Sequence, residues 1–437
     1  MNYIYKILTT LTLAAFVVVG CDVTDQEPKQ SVDSGTVFTT ENGANVALIG
    51  AYDAYQDVLP DDYVFTELAG DLAAHTGSFP SWGSVDQHNM LPTNAEGRDL
   101  WIFYYDLINI TNNVIAQVPD IDQEGFTDAE KAQIVAEAKI LRGLSYHSLV
   151  RFFGAVPMPL TATRALDESV FLPRTAVADV YAQIATDWSD AASTLGATGS
   201  AGAIRGTGLT ASALLSRASL YLGNYQDAID FADDVLGAGI ALGDVIFQLP
   251  YSSEDFNNLS FFARPNGSGG RYEYGPTVDY VNLFDPADTR FDVNLMDVNA
   301  DGTLELGKYR LIDGDDNVPV ITAAELHLIR AEANLELGNG ETTVLADVNP
   351  IRTAAGLAPL PDDPNTANEY TDQELLNEIL LQRALELAQE GHRWHDLNRV
   401  GIATTTFGIP ANMTLWPIPQ RDMDTNPALE GNQNPGY

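Results

Sequence analysis

The chain has 437 residues, of which 61 are acidic and 22 basic, for a net charge of −39. A charge of that sign and size excludes nucleic acid and anionic lipid headgroups as binding surfaces, because both would be repelled. Its 45% hydrophobic and 9% aromatic content equally excludes a disordered acidic polymer, which lacks the apolar side chains for a core.

The acids are spread along the chain, and arginine outnumbers lysine about three to one. A lysine-poor acidic surface resembles that of halophilic proteins, which work in concentrated salt where screening removes self-repulsion. The length allows one large domain or two to three ordinary ones. A single cysteine permits no internal disulfide, so packing alone must hold the fold.

Residues 1–20, "MNYIYKILTTLTLAAFVVVG", carry Lys6, an apolar stretch from Ile7 to Val19, and Gly20. The stretch is too short to cross a bilayer, which takes roughly twenty residues, and suits the core of a signal peptide. Val18-Val19-Gly20-Cys21 resembles the bacterial lipobox, whose cysteine thiol is joined to a diacylglycerol and acylated with chains such as palmitate. Cys21 is therefore expected to be a lipid anchor, with residues 21–35 as a polar tether and 36–437 as the body.

The periodicity of the body is mostly helical. "ENGANVALIGAYDAYQDV" places Val46, Ile49, Tyr52 and Tyr55 along one stripe, and "GRDLWIFYYDLINITNNVIAQV" does the same with Trp101, Tyr105, Ile108 and Asn112. "TDAEKAQIVAEAKILRGLSYHSLVRFFG" opens on a capping box, Thr127 with Glu130, and stops at Gly154. Two later stretches, 210–239 and 321–356, resemble each other. Each has a helix with small residues, a Leu-Gly turn at Gly223 or Gly338, and a second helix. That is the pattern of tetratricopeptide helix pairs, with weaker copies around 134–188 and 374–400. Between them, residues 70–98 and 250–317 are rich in Gly, Asn, Asp, Pro and aromatics without helical period, and loops that long are usually functional. Short strands are expected near 245–251 and 306–312. The expected fold is mainly α, with tetratricopeptide-like helix pairs forming a scaffold, long irregular loops and a few short strands. Its N-terminal part (36–240) and C-terminal part (241–437) pack as one domain.

The segments "EILLQRALELAQEGHRWHDLNRVG", "LWPIPQRDMDTNPALEGNQNPGY", "AELHLIRAEANLELG", "AEAKILRGLSYHSLVRFFGAVPMPL" and "TVFTTENGANVALIGAYDAY" together resemble the SusD/RagB-type outer-membrane nutrient-binding lipoproteins, in that family's order. The chain departs from its pattern at Gln382 and Thr322, both on structural helices. The resemblance implies a surface-exposed, lipid-anchored binding protein that sits as a lid on a SusC-like TonB-dependent outer-membrane transporter. It implies capture of an oligosaccharide, or in some members a peptide, without chemistry. It also implies that the helices face the transporter while irregular loops contact the ligand. A surface scaffold that binds only protein and a hydrolase are the rivals from other classes.

Sugar rings stack their C–H faces on aromatic side chains and bond their hydroxyls to Asn, Asp, Arg or His. The 70–98 loop offers His75, Phe79, Trp82, His88, Asn89 and Arg98; the loop "RPNGSGGRYEYGPTVDY" offers Arg271, Tyr272, Tyr274 and Tyr280. The family draws its ligand contacts from these two regions. Trp101 and Trp188 fall in helical periodicity and are expected in the core. His392 and His395, with Glu390 and Asp396 nearby, lack a third ligand for zinc and are better read as packing. "DVNADGTLE" places Asp297, Asn299 and Asp301 at calcium-loop spacing, but position twelve is Lys308 and Glu305 falls ninth. This is no EF-hand, though its oxygens suit Ca²⁺ with other partners, against the plainer reading of an acidic Asx turn. With 61 acids, paired carboxylates carry no signal for glycoside hydrolysis.

Overall fold

The computed structural model describes residues 37–163, 170–297, 299–300, 302–362 and 369–437. The signal segment, Cys21 and the tether lie outside the described residues. Among those described, no helix is long and apolar enough to cross a membrane.

The body opens with α1 (Glu41–Ala69), started by Thr40, whose side chain accepts from the Gly43 N–H. After β1 (Ala73–His75) and the short α2 (Pro80–Asp86) comes α3 (Ala95–Gln117), capped by Asn94. α4 (Asp128–Phe153) begins with the expected Thr127–Glu130 capping box. It pairs with α5 (Val177–Leu195), and α6 (Gly208–Leu222) pairs with α7 (Tyr225–Gly237). Gly223 makes the α6–α7 turn in the left-handed region, φ 71°, where a Cβ would be penalised. The irregular half carries β2 (Val245–Leu249), β3 (Tyr274–Pro276), β4 (Leu295–Met296), β5 (Glu305–Leu306) and β6 (Val318–Thr322). A third pair follows, α8 (Ala323–Glu336) with α9 (Glu341–Ala354), and then α10 (Asp372–Glu386) and α11 (Arg393–Arg399).

Successive pairs stack as the repeats require: α5 on α6, α7 on α8, α10 on α8. One apolar core runs from Ala44 to Leu429, and a smaller one fills the space among α8, α9 and α10. Buried arginines bridge the layers: Arg142 to Asp187 at 2.6 Å, Arg217 to Glu325 at 2.5 Å and Arg383 to Asp396 at 2.7 Å. A buried guanidinium is tolerated only when a carboxylate answers it, so each pair fixes the setting of two helices.

Two antiparallel ladders organise the inserts. β2 pairs with β6, Val245 opposite Thr322 and Leu249 opposite Val318, closing the base of the 250–317 insert. β1 pairs with β3, His75 opposite Tyr274, tying that insert to the one after α1.

Three local expectations need correction. α1 buries Ala44, Leu48, Ala51 and Tyr52, leaving Val46 and Ile49 of the expected stripe exposed. It also continues through Pro60, because both sides of that residue are packed in the core. The 70–98 stretch is no plain loop, since it holds β1 and α2. The strand expected over 306–312 is only the two residues of β5. Thr322 caps α8 and Gln382 is buried in α10, so both departures are structural.

Candidate ligand-binding site

The β1–β3 ladder brings two segments nearly two hundred residues apart to one surface. Just past β1 the chain turns outward at Thr76, Gly77 and Ser78; just before β3 it presents Arg271, Tyr272 and Glu273. Tyr272 holds φ at 53°, a left-handed value that costs a side-chain-bearing residue energy. It is held there from both ends: the Thr76 hydroxyl donates to its carbonyl at 2.8 Å, and its own hydroxyl donates to the Leu304 carbonyl at 3.1 Å. The reversal turns Arg271 out to solvent and Glu273 inward.

Glu273 is 1% exposed, and four donors converge on its carboxylate. They are the Ser78 N–H at 2.6 Å, the Phe79 N–H at 3.1 Å, the Ser78 hydroxyl at 3.0 Å and Arg271 Nε at 2.6 Å. Burial alone would raise this carboxyl; the Arg271, Ser78 and Phe79 donors outweigh it and hold it below its ordinary value. Gly77 is required, because a Cβ there would run into the Glu273 side chain. The Arg271 guanidinium lies flat over the Phe79 ring, 4.0 Å from its centroid. Around it is a cavity of about 430 Å³, lined also by Thr76, Ser78, Tyr272 and Asn266. The Asn266 amide nitrogen donates to the Gly270 and Arg271 carbonyls at 3.1 and 3.2 Å. The result is a guanidinium fixed by stacking and by a spent carboxylate, with two hydroxyls beside it. Such a set can hold and orient a polar ligand, the Glu273 carboxylate being spent on its four donors.

The profile of the SusD family matches residues 303–413, and that of a family described as starch-binding and associating with outer membrane matches residues 24–222. The chain belongs to the SusD/RagB family. SusD-like protein P38 of Formosa agariphila is 25% identical over 94% of each chain, and SusD-like protein P2 of the same organism 25% identical over 99% of each. Among solved structures, a laminarin binding SusD-like protein superposes with a TM-score of 0.77 at 22% identity, covering 91% of this chain and 100% of its own. A SusD superfamily protein from Bacteroides thetaiotaomicron gives 0.76 at 23% identity, over 90% and 99%. At those identities the structures establish a shared SusD-like fold.

Within this SusD/RagB member the sequence-derived candidates divide. Arg271 and Tyr272 line the cavity, Phe79 lies under the Arg271 guanidinium, and His75 is half-buried behind the cavity, its Nε2 3.6 Å from Glu273. Trp82 and Tyr274 do not present a face to a ligand. Trp82 is 4% exposed and packed among Phe65, Phe79 and Phe262, because α2 turns it inward; Tyr274 is 1% exposed, because β3 points it into the same cluster. Tyr280 is buried likewise. His88 stacks on Trp394, 5.0 Å between centroids. Asn89 is exposed beside Gln87, and Arg98 is paired with Asp99 at 2.7 Å; neither lines the cavity. Trp101 and Trp188 are in the core as expected.

Sequence reasoning missed Thr76, Ser78, Asn266 and Glu273, and also the exposed Phe261 of the short helix Leu259–Ala263, whose carbonyl accepts from the Arg271 N–H at 2.8 Å. The double Phe in "NNLSFFARP", one ring inward and one outward, was the available signal for the last.

No group of three or more His, Cys, Asp or Glu among the described residues is placed to hold a metal ion. His392 and His395 are buried, and burial with the neighbouring Arg151 guanidinium pushes both well below the ordinary imidazole value. In the 297–305 loop, Asp297 Oδ2 accepts from the Gly302 N–H at 2.9 Å, and Asn299 Oδ1 accepts from the Ser268 hydroxyl at 2.5 Å. Asp301 lies outside the described residues.

Proposed function

We propose that this protein captures a glycan at the cavity over the β1–β3 ladder and hands it to a SusC-like TonB-dependent transporter, held at the outer-membrane surface by lipid on Cys21. The observation that carries the reading is the Arg271–Phe79–Glu273 arrangement. A guanidinium whose orientation is already fixed bonds sugar hydroxyls at little entropic cost. The Thr76 and Ser78 hydroxyls, whose protons go to the Tyr272 carbonyl and to Glu273, are left to accept from sugar hydroxyls, and Phe261 offers a ring for a sugar's C–H face. The starch-binding description of the matching family and the laminarin-binding neighbour support a glycan. The lipobox-like residues before Cys21 support the anchor. The spent Glu273 carboxylate favours binding over hydrolysis.

Arg271→Ala with Phe261→Ala is expected to weaken retardation in affinity gels containing laminarin or starch at least tenfold, the worth of about 1.5–3 kcal/mol of charged hydrogen bonding, with helicity unchanged. Unaltered migration of a variant whose parent is retarded would move the site elsewhere. Retardation of the parent by peptide alone would replace the glycan with a peptide. For the anchor, Cys21→Ala is expected to shift the protein out of the membrane fraction; retention there would refute lipidation.

A further inference from the structure

A second cavity lies away from this site. It is a trough of about 720 Å³ between α3, the strap of residues 157–163 and the short C-terminal helix Gln420–Thr425. Its size falls within the range of small-molecule sites.

The strap has no regular structure of its own, yet four hydrogen bonds hold it. Tyr105 donates to the Pro157 carbonyl at 2.5 Å, and Tyr146 and Asn112 both donate to the Pro159 carbonyl, at 2.7 and 2.9 Å. The Thr163 N–H donates to Asn109 at 2.8 Å. Asn112 is itself held by Arg142 at 2.8 Å, which ties the strap to the helix-pair scaffold. The trough is therefore preformed.

Two charged side chains around it are uncommitted. Arg421 and Asp106 are exposed, and neither makes an ion pair or side-chain hydrogen bond among the described residues. Asp422 Oδ2 is sealed from solvent and also has no partner. Elsewhere in this acid-rich chain most guanidiniums are answered by a carboxylate or a carbonyl; here a donor and an acceptor, Arg421 and Asp106, face one hollow and leave each other unbonded. Burial raises the Asp422 carboxyl against the pull of Arg421 and the Trp101 indole N–H.

We infer that this trough is a second glycan subsite, separate from the cavity at Arg271, in which Arg421 and Asp106 bond the hydroxyls of a sugar chain lying between α3 and the strap. Hydroxyls supply both donors and acceptors, matching the mixed set, while Met158 and Leu172 give the walls an apolar C–H face to cover. A peptide adding along the strap would need its carbonyls, and those of Pro157 and Pro159 are already taken by side chains. The inference rests on the glycan reading of the protein but on different residues, so the two can fail separately.

Hydrogen–deuterium exchange on the full chain, with laminarihexaose and with maltoheptaose at millimolar concentration, tests it. With at least one sugar, amides of 158–163 are expected to slow on the parent protein. They are expected to stay unprotected in Arg421→Ala/Asp106→Ala, while protection at 76–78 persists in that variant. Calorimetric stoichiometry should fall from two to one. Protection confined to 76–78 in the parent would overturn the second subsite and leave the first standing. Protection confined to 158–163 would support it and remove the first. Protection of neither segment by either sugar would overturn both.

Discussion

Two buried glutamates show how side-chain surroundings, not burial, decide charge. Glu273 is reached by four donors and stays ionised below its ordinary range; Glu67, equally buried, accepts one backbone N–H from Gln389 at 3.1 Å and has a second oxygen with no partner. Burial pushes Glu67 up to about 8. Its folded value lies above its unfolded one, so its contribution to stability is full below about pH 4.5 and is lost as pH rises to about 8. Glu67→Gln, a neutral isostere, is expected to match the parent near pH 4 and to exceed it increasingly above that. The gap should grow by about 1 kcal/mol per pH unit and level off above pH 8. Urea unfolding across pH 4–9 measures the gap; a constant difference would mean that Glu67 is ionised in the folded protein.

At the scale of elements, helix contacts are set by where small residues stand. Gly143 on α4 faces Trp188 of α5, whose indole N–H donates to the Ile140 carbonyl at 3.1 Å; a Cβ at 143 would sit 2.7 Å from Trp188 Cε2. Gly50 on α1 has open space around its would-be Cβ. Gly143→Ala is expected to destabilise by about 1–3 kcal/mol, overpacking outweighing the helix-propensity gain. Gly50→Ala should gain roughly 0.5–1 kcal/mol. Thermal melts of the two single variants check the pair, and equal shifts would refute the close α4–α5 approach. The helices were legible because their signals are local: Thr127 and Glu130 at capping-box spacing, and Leu-Gly before each turn. The site was only half legible, because its geometry is non-local. Nothing near Trp82 or Tyr274 in sequence says that α2 and β3 turn them inward, since that follows from a ladder joining residues 73–75 to 274–276. The same ladder is what makes Glu273 the hub and Arg271 the outward group.

For the whole molecule the governing fact is the imbalance of charge. Most of the few cations are consumed internally: Arg142, Arg217, Arg383 and Arg399 bridge helices, and Arg271 pairs with the buried Glu273 at the candidate cavity. The excess carboxylates are left on the surface facing one another. At 0.1 M salt the screening length is about 10 Å, comparable to the spacing of neighbouring surface charges; at 1 M it is about 3 Å and the repulsion is confined to contacts. The buried pairs are shielded by protein and change little over that range. Raising KCl from 0.1 to 1 M is therefore expected to raise the melting temperature, by roughly 5 °C or more if several kcal/mol of self-repulsion is relieved. NaCl should act as KCl does, and an uncharged excluded solute at matched osmolality should give less. A melting temperature indifferent to salt would show that the acids are spaced too widely to repel and would remove the case for a saline habitat. Ligand capture makes the complementary point: the Arg271 guanidinium is fixed by a buried carboxylate, so affinity for a neutral sugar should hold across the salt range in which stability climbs.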